Sequence, residues 1–500
     1  MFKKLLIANR GEIAVRVIRA CRDLSISPIA VYSEADRDGL HVKLADQAVE
    51  IGPPGAAESY LNVDRIMQAV RQTGAEAIHP GYGFLSESDL LVRACDDAGV
   101  VFVGPSLDSI RIMGTKVTSR AAAEAAGIPV IPGSGAVGFP AEALAAAERL
   151  GYPVILKADS GGGGKGMRVV SCPADMPDAF ESGRAEAAGA FGDPSLYLER
   201  YLSRPRHIEI QLLGDRRGNL VHLGERECSI QRRYQKILEE SPSPLADERL
   251  RERLGEAAVK LARSVGYYSA GTVEFLVDSA HPDGFYFLEM NTRLQVEHPV
   301  TEAVTGVDLV CAQIRIANGE PLGLRQDDIQ IRGAAIECRV YAEDPANDFL
   351  PAPGVVTELS EPDGPGIRND SALYAGYEIP IHYDSLISKL IAFGADRTEA
   401  MRRMLRALKE YRVGGVPTGI SFLRRLVSHP EFQAGRLHNR FLEESGLLTP
   451  LRDERPHVAL LGAALQTLAE SRAPQNRPTG PTGQSLWKQA ARPGRYLRKW

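Results

Sequence analysis

The sequence predicts a multidomain protein of mixed α/β and α+β class. Three observations carry that reading. Five hundred residues exceed one compact domain and suggest roughly two to four. The first hundred or so residues alternate short apolar strands with amphipathic helices, the pattern of a parallel sheet with helices on its faces. From about residue 204 to 330 the chain reads as strand-rich, and more strands follow before the helix Arg397–Tyr411.

The first domain, 1–113, opens with the strand Lys4–Ala8, the turn Asn9–Glu12 and the helix Ile13–Arg22. Ile29–Tyr32, Ala77–His79 and Val100–Val103 read as further strands. Asn9-Arg10-Gly11-Glu12 sits at the carboxyl end of the first strand, where such sheets bind ligands. No GxGxxG occurs there, so a dinucleotide site has little support, and a turn that only builds the fold fits equally well. The second domain, 114–330, starts with a helical linker over 114–132 that closes in Ile131-Pro132-Gly133. A smaller unit, about 133–203, carries a glycine-rich loop. The strands Ile208–Leu213, Leu220–Gly224, Thr272–Asp278 and Phe285–Met290 follow. The third domain, 331–447, holds more strands, the helix Arg397–Tyr411 and a last helical stretch. The tail, 448–500, is basic and rich in Pro, Gly and Gln. His457–Ser471 reads as one more helix, and the rest as linker, disordered chain or a partner-docking segment. No internal repeat stands out.

Several function classes are disfavoured. A formal net charge of −5 argues against a dedicated nucleic-acid binder, which needs a basic face. No run approaches the ~20 apolar residues of a membrane helix, and Met1–Ile7 is too short for a secretory signal. The six cysteines form no CxxC pair and read as reduced thiols of a cytoplasmic protein, with Cys228 as a packed bystander.

Ser160–Met167 reads SGGGGKGM, directly after the apolar strand Val154–Lys157. Consecutive glycines let backbone N–H groups approach phosphate oxygens without side-chain clash. The loop is not a Walker A motif, because Gly166 rather than Ser or Thr follows Lys165. A strand enters it and another, Met167–Val170, leaves it, which suits a mobile flap over a nucleotide better than a linker. Lys157 ends the entering strand and Lys116 begins the linker helix. Together they could neutralise a triphosphate from two sides.

Two apolar strands carry unexpected acids: Glu274 within Thr272–Val277, and Glu289 with Asn291 within Phe285–Asn291. Strand side chains alternate, so Glu289 and Asn291 should share one face and Leu288 and Met290 the other. Unpaired carboxylates on a buried sheet are costly, and Mg²⁺, which takes carboxylate oxygens, would resolve the cost. Glu289, Asn291, Arg293, Gln295 and Glu297 continue the parity. A straight strand would spread them over roughly 26 Å at ~3.3 Å per residue, too far for one small substrate. A bend after Asn291 is therefore expected, folding Arg293–Val296 back over metal-bound phosphate.

Lys157, the glycine loop, Glu199–Leu202, Glu274 and Glu289-Met290-Asn291 resemble the ATP-grasp ligases. Within them, Ile7–Ala14, His79–Glu87, Arg206–Glu209, Glu227–Arg233, Glu289–Glu302 and Glu337-Cys338-Arg339 are similar to biotin carboxylase. The resemblance runs from residue 1 to about 447 and rests on long, specific motifs. It implies a Rossmann-like N-terminal (pre-ATP-grasp) domain, an ATP-grasp domain with a mobile glycine-rich lid, and a C-terminal α+β domain. It further implies ATP-dependent carboxylation of biotin by bicarbonate through carboxyphosphate.

The family's roles transfer to matching positions. Lys116, Lys157, His207 and the loop residues Gly162, Gly163, Gly164 and Gly166 would bind the phosphates or ribose. Glu199, Arg200 and Leu202 would frame adenine, with Gln231 on the ribose side. Glu274, Glu289 and Asn291 would hold one or two Mg²⁺ or Mn²⁺ ions. Lys236, Arg293, Gln295 and the Val296 backbone would cradle bicarbonate, Glu297 would be the base, and Arg339 would hold the biotin enolate. One departure is Tyr234, which stands where the family has a histidine near ATP and cannot become cationic. Asp278–Gly284 is also slightly long, which should only lengthen a hairpin turn. No Met-Lys-Met carrier target occurs in the chain. The implied partners are a biotin carrier on a separate chain, a carboxyltransferase subunit of an acyl-CoA carboxylase, and a second copy of this chain. Another ATP-grasp ligase, or a non-catalytic ATP-binding subunit, is the competing reading. Biotin-dependent ATP hydrolysis in bicarbonate discriminates between them.

Overall fold

The computed structural model describes residues 1–159, 167–278 and 284–449, together with 464 and 467. The chain divides into two units, Met1–Pro450 and Leu451–Trp500. In the second, Ala464 and Thr467 are helical and exposed. The remainder of the helix expected over His457–Ser471, and of the tail beyond residue 449, lies outside the described residues.

The N-terminal domain is built on five parallel strands, ordered Gln47–Glu50, Ser27–Tyr32, Lys4–Ile7, Ala77–His79 and Val101–Phe102. Leu5, Leu6, Ile7 and Ala8 are fully buried, because helices cover both sheet faces. The expected turn after the first strand is short. Arg10 is the N-cap, and the helix Gly11–Asp23 buries Ile13, Val17 and Ile18 against the sheet. The linker helix runs only over Lys116–Ala125, capped by the Thr115 hydroxyl, which accepts from the Thr118 N–H. Beyond it the chain turns at Ala126-Gly127 instead of continuing as helix, and Val130 bridges to Phe287.

Next comes a small antiparallel sheet of Arg168–Val170, Val154–Ala158 and Leu196–Arg200, packed on the helices Pro140–Leu150 and Met176–Phe191. Val154, Leu156, Ala158, Leu196 and Leu198 form its core. Ile155, Lys157, Tyr197 and Glu199 face the opposite way, into a cavity. The strands Val154–Ala158 and Arg168–Val170 pair as the expected hairpin, while Gly162, Gly163, Gly164 and Gly166 lie outside the described residues.

An eight-stranded antiparallel sheet dominates the rest. Its order is Phe285–Asn291, Ser269–Asp278, Pro205–Gly214, Leu220–Arg232, Gln235–Ser241, Ala334–Tyr341, Leu386–Gly394 and Ile367–Ser371. The sheet therefore runs without a break across the boundary expected at 330/331. Ile208, Ile210, Leu212, Val273 and Phe275 point to one core. His207, Glu209, Thr272 and Glu274 take the alternate positions, facing the polar side. The hairpin around 278–284 closes with the Asp278 N–H donating to the Gly284 carbonyl at 3.2 Å.

Candidate active site

A cavity of about 1410 Å³ lies between the small sheet and the polar face of the large one. Of the residues expected in the site, every described one lines it: Lys116, Lys157, Glu199, Arg200, Leu202, His207, Gln231, Lys236, Glu274, Glu289, Asn291, Arg293, Gln295, Val296, Glu297 and Arg339. Tyr234, left out of the expected set, lines it as well, from a hairpin turn where it adopts φ +66°.

Sheet register explains why the acids meet. Glu274 is directly opposite Glu289 on one neighbouring strand and Glu209 on the other. Like charges in directly opposed positions repel, so the cluster needs cations. Lys236 supplies one: its ammonium donates to Glu209 Oε2 at 2.6 Å, Glu274 Oε1 at 3.0 Å and Glu297 Oε1 at 2.6 Å. Arg226, fully buried, supplies another. It bonds Glu209, Gln211, Thr272, Gln295 and Thr301. His207 Nε2 lies 2.8 Å from Glu274 Oε2. Burial opposes the charge on His207, but Glu274 outweighs it and raises the imidazole pKa. Glu274 is likewise held well below the usual carboxylate range: burial works against it, and Lys236 with His207 overcomes that. The expected unpaired carboxylate is thus corrected for Glu274, which is paired twice.

Glu289 is different. Among the described residues nothing donates a hydrogen bond to it, and burial together with Glu274 raises its pKa. A divalent cation beside Glu289 would remove that penalty. The donor set is right for Mg²⁺ or Mn²⁺: two register-paired carboxylates and the Asn291 amide, all oxygen donors. In kind the residues fit the ion, and Glu274, whose oxygens meet Lys236 and His207, would have to share them with it.

A β-bulge aims these groups. Glu274 pairs with Glu289 but Phe275 pairs with Phe287, so Leu288 is an extra residue on its strand. Phe285 and Phe287 pack in the core; past the bulge Met290 does so, and Glu289 turns to the cavity. Leu288 lines the cavity too, which corrects the expectation that it shares a face with Met290. Strict alternation fails at this one residue.

The bend after Asn291 is present. Arg293 Nη2 donates back to Asn291 Oδ1 at 2.9 Å. Asn291 Nδ2 and Gln295 Nε2 both reach Glu274 Oε1, at 2.9 and 2.8 Å. Glu297, the N-cap of the helix His298–Thr305, receives Lys236 on one oxygen and Arg339 Nη2 on the other at 2.9 Å. Burial disfavours its charge, yet Lys236, Arg339 and Arg226 hold its carboxyl far below the usual range. Arg339 Nε also donates to Glu239 Oε1 at 2.7 Å.

At the small sheet, Lys157 Nζ donates to Glu199 Oε2 at 2.5 Å, and Arg120 Nη1 reaches the other oxygen at 3.0 Å. Burial, then Lys157, lowers the Lys116 pKa. Gln231 Nε2 lies 3.0 Å from His207 Nδ1, and Arg200 Nη2 donates to the Tyr286 hydroxyl at 2.8 Å. Sequence reasoning missed Glu209, Arg226, Glu239 and Arg120. The signal for Glu209 was available: His207, Glu209 and Gln211 alternate with Ile208, Ile210 and Leu212. Cys228 is buried, and burial raises its thiol pKa well above normal. All six cysteines are free. Among the described residues, no helix is long and apolar enough to cross a membrane.

Acidic strands facing a small sheet that carries Lys157, with Lys116 on the adjoining helix, are the arrangement of the ATP-grasp class of ligases. Comparison with known proteins narrows the class. The model "Biotin carboxylase, N-terminal domain" matches residues 1–110. "Carbamoyl-phosphate synthase L chain, ATP binding domain" matches 115–325 and "Biotin carboxylase C-terminal domain" matches 337–444. Biotin carboxylase 1 of Bacillus subtilis is 53% identical over 444 residues, covering 89% of this chain and 98% of that protein. The propionyl-CoA carboxylase alpha chain of Ruegeria pomeroyi is 47% identical over 499 residues, covering 94% of this chain and 73% of that one. Among solved structures, the biotin carboxylase domain dimer of Hydrogenobacter thermophilus 2-oxoglutarate carboxylase, in complex with MgADP, ADP and bicarbonate, superposes with a TM-score of 0.87. It is 47% identical and covers 90% of this chain and 100% of that one. The chain belongs to the biotin carboxylase family, ATP-dependent ligases within the ATP-grasp class.

Proposed function

We propose that the cavity binds ATP and bicarbonate and carboxylates biotin brought by a carrier on a separate chain. The observation that carries this reading is the junction at Lys236, where one ammonium joins Glu209, Glu274 and Glu297 while Arg339 takes the other Glu297 oxygen. Such a site can hold a small anion next to a carboxylate base. Lys116, Lys157 and His207 would grip the ATP phosphates, Glu199, Arg200 and Leu202 the adenine, and Gln231 the ribose side. Held by Glu274, Glu289 and Asn291, Mg²⁺ or Mn²⁺ would neutralise charge on the transferring phosphoryl group.

Bicarbonate would rest on Lys236, Arg293, Gln295 and the Val296 N–H. By taking a share of Lys236, it loosens that ammonium's hold on Glu297 and makes the carboxylate a better base. Glu297 then accepts the bicarbonate proton as a bicarbonate oxygen attacks the γ-phosphorus and ADP leaves. The carboxyphosphate formed would have to be kept from water until it breaks into CO₂ and phosphate. The phosphate takes the ureido proton of biotin, Arg339 stabilises the enolate oxygen, and the nitrogen attacks CO₂.

A carrier, a carboxyltransferase subunit of an acyl-CoA carboxylase and a second copy of this chain are the proposed partners, and the cytoplasm the proposed compartment. The alignment of the propionyl-CoA carboxylase alpha chain to 94% of this chain supports an acyl-CoA setting. The test is ADP release by the full chain with free biotin, bicarbonate and Mg²⁺. Turnover should require bicarbonate and rise with biotin; turnover indifferent to biotin sinks the reading. Co-purification of carrier and carboxyltransferase with the full chain, and not after deletion of 451–500, would support the tail as the docking segment. Undiminished assembly without it would remove that role.

A further inference from the structure

The proposed chemistry makes no use of the N-terminal domain. Among the described residues, the cavity wall begins at Lys116. Yet one motif of that domain reaches the segment Asn291–Glu297 directly, through Glu87, and another places Glu12 behind a lysine that does. Glu87 Oε1 accepts the Thr292 N–H at 2.9 Å and its hydroxyl at 3.0 Å, and Glu87 Oε2 accepts Arg293 Nε at 2.9 Å. At the segment's other end, Lys389 Nζ donates to the Val296 carbonyl at 2.9 Å. That carbonyl belongs to the peptide whose N–H is Glu297's, so the contact fixes the backbone from which the base projects.

Lys389 is fully buried on the strand Leu386–Gly394. Glu12, at the start of the first helix, lies 3.4 Å away, and Asp370 of the neighbouring strand 4.0 Å away. One ammonium thus touches all three domains. Among the described residues, the two buried Glu12 oxygens have no well-formed hydrogen bond, and Lys389 meets one of them as an ion pair. The carboxylate is placed to offset charge rather than to tie down a donor. A buried ion pair is costly to desolvate, and well-packed apolar residues at the same positions often do as well for stability or better. Stability alone is therefore a weak reason for Lys389 and Glu12.

We infer that Glu87 and Lys389 are positioning residues that clamp the Arg293–Glu297 segment at its two ends, with Glu12 as the lysine's counter-charge. This rests on the reading that the segment holds bicarbonate. The clamp gives the N-terminal domain a part in the reaction: it sets the anion cradle and leaves the nucleotide subsite alone.

The experiment is steady-state kinetics of the full chain with bicarbonate and ATP varied separately. Lys389→Met and Glu87→Gln should each raise the bicarbonate KM about tenfold and lower kcat, with the ATP KM within about twofold, since misplacing a reacting group weakens catalysis without touching remote binding. Lys389→Met strands the Glu12 charge and lowers the thermal midpoint; adding Glu12→Gln should restore the midpoint but not the bicarbonate KM. A KM that recovers together with the midpoint, or one unmoved in both single variants, overturns the clamp. Gln295→Ala is the control on the underlying reading. If it raises the bicarbonate KM and the clamp variants do not, the clamp alone fails; if it has no effect, the bicarbonate reading fails and the clamp with it.

Discussion

Glu297 Oε1 and Lys236 Nζ lie 2.6 Å apart, and this contact ties the proposed base to the acidic strands of the large sheet. Because Arg339 holds the second oxygen, the carboxylate is fixed in orientation as well as in charge. Glu297→Ala removes the proton acceptor but leaves Lys236 on Glu209 and Glu274, and Arg339 on Glu239. Biotin carboxylation should fall by about 10²- to 10⁴-fold, the usual contribution of a general base. Nucleotide affinity, measured by direct binding, should stay within about twofold because no phosphate contact is lost. Near-normal turnover would refute the assignment.

Lys157 tests the nucleotide half of the cavity. Its ammonium sits on Glu199, whose other oxygen is already taken by Arg120. Lys157→Ala therefore leaves Glu199 paired, and the small sheet should keep its fold. A charge-assisted contact to phosphate is worth ~1.5–3 kcal/mol, so ATP affinity should drop about 10- to 100-fold. An unchanged dissociation constant for ATP contradicts the placement of the triphosphate beside Lys157.

How far the sequence reached depends on what each residue needed. Four of the five N-terminal strands were legible, Leu5–Ala8 and Ile29–Val31 because they are continuous apolar runs, whereas the polar, mostly exposed edge strand Gln47–Glu50 was not. Glu274 was legible for the opposite reason, as a lone acid in an apolar strand. The bulge at Leu288 was not, since an extra strand residue leaves no mark in period-2 parity. The partners of Lys236 were hidden as well: residues 209, 236, 274 and 297 converge only through strand order in the sheet. The single eight-stranded sheet spanning the second and third domains could not be read from strands taken one at a time. Roles for Glu297 and Arg339 came from resemblance; chemistry alone reached a metal- and phosphate-binding ligase.

Glu289 carries the metal prediction. Its carboxyl is raised by burial and by Glu274, and no described residue donates to it. Glu289→Gln should raise the Mg²⁺ concentration for half-maximal ATP turnover by at least about tenfold, some 1.4 kcal/mol of lost affinity. Mg²⁺ titration of turnover reads the effect. A variant with unaltered Mg²⁺ dependence shows that the ion binds elsewhere.

Glu12 gives a stability prediction with a definite sign. Burial, opposed by Lys389, raises its pKa from 4.5 to about 7. Between those values the folded protein binds more protons than the unfolded chain, so stability falls as pH rises through the window and stays lower above it. At ~1.36 kcal/mol per pH unit the loss is at most ~3 kcal/mol. Glu12→Gln cannot titrate and escapes this loss. Its stability relative to the parent should therefore improve by about 2–3 kcal/mol between pH 4.5 and pH 8, whatever the offset at the acid end. Urea unfolding of both proteins across that range measures it. Parallel profiles would mean that Glu12 stays ionised throughout, and that Lys389 holds its charge more tightly than burial opposes it.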